Sequence, residues 1–127
     1  MNKKRIVLSQ SDYIKLKKLL EALKKTNRCN SIHFRHLDDE MAHALMMEPE
    51  NLPKDRVTLH SKVRYKDLKN NSEHEAVIVF PGEKDKNEHS YSILAPLGTA
   101  LIGEKKGSTT ICYAPGGEIP LKIIEVC

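Results

Sequence analysis

Tryptophan is absent and phenylalanine occurs only at Phe34 and Phe80. Surfaces that bind single-stranded nucleic acid place exposed rings among basic residues, and the basic N-terminal run offers only Tyr13. Cysteine is scarce too. Cys29, Cys112 and Cys127 are an odd number at wide spacings, which fits reduced thiols better than a disulfide framework or a zinc site. No apolar run approaches a membrane span, and Ile6-Val7-Leu8, after Lys3, Lys4 and Arg5, is far too short for a signal peptide. The cytoplasm is the expected location, with no membrane partner. Paired carboxylates and a Ser-His-Asp pattern are missing. Pro115-Gly116-Gly117 lacks the Lys-Ser/Thr of a phosphate loop and reads as a turn. No catalytic residue and no cofactor are therefore assigned, and no enzyme activity is expected.

What remains is 127 residues, 39% hydrophobic and 30% charged, enough for one modest core or a small core with a helical appendage. A net charge of +4 permits an acidic partner without demanding one. Ser9-Gln10-Ser11-Asp12 has the form of a capping box ahead of Tyr13, Leu16, Leu19, Leu20 and Leu23, whose spacing predicts a helix to about Lys25. A second periodic run places Phe34, Leu37, Met41, Ala44 and Leu45 on one face. The short connection between them implies an antiparallel helical hairpin over about Ser9 to Met47, stopped by Pro49 and Pro53.

From Arg56 the period becomes two. Val57, Leu59, Ser61, Val63 and Tyr65 alternate with polar residues as in a half-buried strand. Further strands are expected at Glu75 to Phe80, Tyr91 to Leu94, Thr109 to Ala114 and Ile119 to Val126, the last two joined at Pro115-Gly116-Gly117. Ala95 to Gly103, led by Pro96, suits a turn or two of helix. The fold class is α+β: a hairpin and linker over 1–55, then a small antiparallel sheet with one short helix over 56–127.

Ala95-Pro96-Leu97-Gly98-Thr99-Ala100-Leu101-Ile102-Gly103, continuing through Glu104 to Ser108 and on to Ala114-Pro115-Gly116-Gly117-Glu118, resembles the C-terminal domain of the Gre-type transcription elongation factors. With Val57 to Val63 the resemblance covers roughly the last seventy residues. Chain size and Leu52-Pro53-Lys54-Asp55-Arg56-Val57-Thr58 are similar to one branch of that family, the regulators of nucleoside diphosphate kinase. The resemblance implies an FKBP-like C-terminal domain and a monomer that docks at the secondary-channel rim of bacterial RNA polymerase core. Contact with DNA or RNA is expected only inside the transcription complex. By the same resemblance, Leu94, Ala95, Pro96, Leu97 and Gly98 are the polymerase-docking segment.

Cleavage-stimulating members of the family use acidic side chains at the hairpin tip to hold magnesium against the transcript. Here the tip reads Lys24-Lys25-Thr26-Asn27-Arg28-Cys29-Asn30, without an acid. Lys24, Lys25 and Arg28 make it basic, and Asp38, Asp39 and Glu40 would lie ~10 Å or more back along the second helix. The expectation is a regulator that occupies the channel, reaching ~20 to 25 Å beyond its globular domain, and competes with Gre factors without cleavage. A transcript-cleavage factor is one alternative. A peptidyl-prolyl isomerase is another, although the aromatic lining its pocket would need is lacking. His33, His36, Glu40 and His43 fall on one helical stripe, but one helix cannot surround an ion tetrahedrally and a polar flank explains them; no metal is assigned. Cys29 beside Arg28 reads as an incidental thiol, and Cys112 as structural.

Overall fold

The computed structural model describes residues 6–26, 32–83 and 89–127, with the side chains of Ile32 and His33 outside that description. Ser9 is extended, and its Oγ accepts the Asp12 N–H at 3.3 Å, starting α1 (Gln10–Lys25) where the capping pattern puts it. Leu16 and Leu20 are buried one turn apart. α2 (Ile32–Met41) buries Phe34, Leu37 and Met41 at helical spacing. Lys24 near the end of α1 meets Asp38 of α2 at 3.2 Å, while Tyr13 and Lys17 share a groove with Met41, Ala42 and His43, so the two helices run antiparallel.

The second helix is shorter than its periodicity predicts. After Met41 the chain turns through His43 and Ala44, whose amides donate to Glu40 and Met41 carbonyls. Leu45 and Met46 then form β2 (Leu45–Met46), parallel to β1 (Val7–Leu8). The Leu45 N–H donates to Ile6 O at 3.0 Å and the Met47 N–H to Leu8 O at 2.9 Å. Backbone pairing with the chain entering the hairpin outcompetes another helical turn. Leu45, assigned to the buried face, is instead 38% exposed.

A single 3₁₀ turn, Pro49–Asn51, leads into the second part of the chain. Val57 and Leu59 are buried as their alternation predicts, but not within a strand. Val57 exchanges backbone hydrogen bonds with Glu104 and Gly103 at 2.8 and 2.9 Å, Ser61 Oγ bonds both the N–H and C=O of Thr58, and His60 adopts φ 70°. Only then does β3 (Lys62–Asp67) begin. It is followed by β4 (Ser72–Val79), β5 (Ser90–Ser92), α3 (Pro96–Leu101), β6 (Thr109–Ala114) and β7 (Gly117–Val126). The sheet order is β5-β4-β3-β7-β6.

Three of its pairings are antiparallel, but β4 and β5 are parallel, with Val77 opposite Ser90 and Val79 opposite Ser92. The sheet is therefore mixed, which corrects the all-antiparallel expectation. A parallel neighbour requires the chain to retrace its strand, and the residues between Val79 and Ser90 are numerous enough for three paired positions. The Pro115-Gly116 turn joins β6 to β7, with Ala114 opposite Gly117. Val63, Tyr65, Ala76, Ile78, Leu121 and Ile123 of the sheet join Leu101 of α3 and Leu16, Leu20, Phe34, Leu37 and Met41 of the hairpin in one buried cluster.

Candidate protein interface

The segment that enters α3 is fixed from its backbone outward. The Ser92 hydroxyl accepts the Leu94 N–H at 3.1 Å and its carbonyl accepts the Ala95 N–H at 2.9 Å, which turns the chain. Pro96 opens the helix, where its missing N–H costs nothing. The Thr99 N–H donates to Ala95 O and its Oγ1 to Ile93 O, both at 2.9 Å, and Thr99 is buried. Gly98 lies so close to the Ser92 carbonyl that any Cβ there would clash with backbone. At the far end Leu101, Ile102 and Gly103 are buried, and Arg56 Nη1 donates to Gly103 O at 2.8 Å.

This arrangement brings Leu94, Ala95, Pro96 and Leu97 together as a half-buried turn, with Gly98 inside it as the spacer. Leu94 and Leu97 pack against the edge of the core while keeping part of their surface open. Pro96 also borders a groove of about 300 Å³ completed by Thr99 and Ala100 of α3, His36 and Glu40 of α2, and Thr109, Thr110, Ile111 and Tyr113 of β6. The sequence reading missed this groove. Its one local signal is a last hairpin whose first strand, Thr109 to Ala114, carries no charge.

The basic tip is only partly described. Lys24 pairs with Asp38, Lys25 is exposed in the last turn of α1, and Arg28 and Cys29 lie outside the described residues. α2 is seated on the α3 corner, with the His36 ring edge-on to Tyr113 at 5.5 Å between centroids. Residues 32–35 of α2 lie beyond that contact, about 6 Å of helix axis. Of the polar stripe, His36 and Glu40 line one groove, His43 Nδ1 lies 3.3 Å from Asp39 O, and the His33 side chain lies outside the described residues.

Elsewhere burial and hydrogen bonding shift ionisation in opposite directions. Burial first, then the neighbouring Tyr91, Cys112 and Asp67, pushes the Tyr65 hydroxyl up to about 12. Burial also pushes the Cys112 thiol up, with Asp67 adding to it, which disfavours the reactive thiolate. Burial works upward on Glu83 as well, but the Phe80 N–H and His60 outweigh it and hold the carboxyl below its usual range.

A short helical hairpin on a mixed sheet, with a proline-led helix at one corner, is the architecture of a transcription factor family. Residues 52–127 match the family model described as transcription elongation factor, GreA/GreB, C-terminal part. The chain belongs to this family. It is 32% identical over 91 residues to the regulator of nucleoside diphosphate kinase from Escherichia coli, covering 71% of this chain and 67% of that protein. To the transcription elongation factor GreA of Acetivibrio thermocellus it is 33% identical over 90 residues, covering 71% of this chain but only 57% of that one. Among solved structures, the GreA/GreB elongation factor from Nitrosomonas europaea superposes with a TM-score of 0.77 at 33% identity, covering 98% of each chain.

Proposed function

We propose that this chain is a transcription regulator that binds bacterial RNA polymerase at the secondary-channel rim through Leu94, Ala95, Pro96, Leu97 and Gly98. Residues 56–127 act as the docking part and residues 1–55 as the part that enters the channel. It occupies the channel without stimulating transcript cleavage and competes with Gre-type factors for the same site.

One observation carries the mechanism. No acid occurs between Glu21 and Asp38, and the first one after the tip, Asp38, is engaged by Lys24 at 3.2 Å. A hard cation needs carboxylate oxygens, and a basic tip supplies none. An isomerase pocket has little support, because Phe34 and Phe80 are both spent in the core.

The test is to add the protein to backtracked elongation complexes. No new cleavage products should appear, and cleavage stimulated by a Gre factor should fall as this protein is titrated in. Cleavage by the protein alone overturns the mechanism, and absence of competition overturns the shared docking site.

A further inference from the structure

β6 is the last strand of its sheet, and among the described residues nothing pairs with its outer side. In an antiparallel pair, residues alternate between those whose backbone groups face the partner strand and those whose groups face away. Pro120 of β7 reveals the phase. Its carbonyl accepts the Leu68 N–H at 2.9 Å, on the β3 side, so Pro120 and its β6 partner Ile111 turn away from each other. The Ile111 N–H and C=O therefore point out of the sheet, as do those of Thr109 and Tyr113 two residues to either side.

Proteins block strand addition at such edges with charge, proline or a bulge. β6 has none of these: Thr109-Thr110-Ile111-Cys112-Tyr113-Ala114 is uncharged and in regular register, and Ile111 is 40% exposed. Thr109, Ile111 and Tyr113 also line the groove that Pro96 borders.

We infer that an extended segment of the polymerase adds to β6 as a sixth strand, pairing with the backbones of Thr109, Ile111 and Tyr113. This rests on the reading of Leu94 to Gly98 as the docking surface. The occupant follows from continuity, because Pro96 belongs to that surface and to the groove wall at once. Backbone pairing supplies affinity, and side chains at alternate positions supply specificity.

Amide hydrogen exchange on the full chain, alone and with RNA polymerase core, tests the inference together with affinity measurements on two variants. Exchange at Thr109, Ile111 and Tyr113 should slow by about tenfold or more in the complex, as expected for newly paired strand amides. Ile111→Pro removes only an outward N–H, which edge strands tolerate, and should raise the Kd about tenfold with little change in melting temperature. If that variant melts early, Ile111→Lys replaces it, since an edge lysine opposes strand addition without breaking the β6·β7 ladder.

Should Leu97→Asp abolish binding while neither the exchange nor the Ile111 variants respond, strand addition is wrong and the docking reading stands. Should Leu97→Asp also leave affinity unchanged, both fail. Protection that grows with protein concentration in the absence of polymerase means that a second copy takes the edge, and this too overturns the inference.

Discussion

The α3 corner and the free end of the hairpin both present candidate contacts, but they are built by opposite means. At the corner, Ser92, Ile93 and Ala95 engage every turn of backbone leading into the helix, and Gly98 is pressed against a carbonyl. At the hairpin end, an ion pair between Lys24 and Asp38 joins side chains that are 49% and 35% exposed. Such a pair is mobile and screened by salt. The difference teaches where recognition can reside. Fixed geometry can discriminate shapes, which supports the proposal that partner choice belongs to the corner. Mobile charge sets local potential and excluded volume, which suits the part proposed to enter the channel.

Substitutions can break or sharpen this contrast. Gly98→Ala should have the largest effect, because its Cβ meets backbone and not a side chain that could swing away. Overpacking of this kind costs about 3 kcal/mol, a fall in melting temperature on the order of 10 °C. A thermal melt showing almost no change would mean that the corner is soft and the contrast false. Thr99→Val keeps the shape but deletes the donor to Ile93 O, and denaturant unfolding should show a loss of about 1 to 2 kcal/mol. Ser9→Ala removes the cap at the base of the hairpin and should cost about 1 kcal/mol by the same measurement. Lys24→Ala should change stability by less than about 0.5 kcal/mol. A larger loss would make the tip as rigid as the corner.

Local chemistry was legible wherever neighbouring residues decide the outcome. The Ser9 cap, the span of α1, the proline-led α3 and the turn at Pro115-Gly116 all follow from side chains within four residues of the feature. The end of α2 does not. Ala42, His43, Ala44 and Leu45 are compatible with helix, and what stops them is Ile6, distant in sequence but adjacent in space. The same holds for Val57, whose alternation is a true sign of burial but whose hydrogen bonds go to Gly103 and Glu104. The direction of β5 was hidden because residue types do not encode whether a neighbouring strand runs parallel. At the candidate site, the proline-led segment Leu94 to Gly98 was legible as a motif. The groove beside it was not, since it assembles His36, Pro96 and Ile111 from three separate elements.

The two-residue pairing of β1 with β2 holds the chain where it enters the hairpin and where it leaves. A helical arm pinned at its root can be lengthened at its far end without altering the root. Seven residues added to each helix would carry the far end about 10 Å outward. The clasp thus makes arm length a separable engineering variable, and a series of chains with identical bases and graded arms would measure how the proposed competition depends on reach.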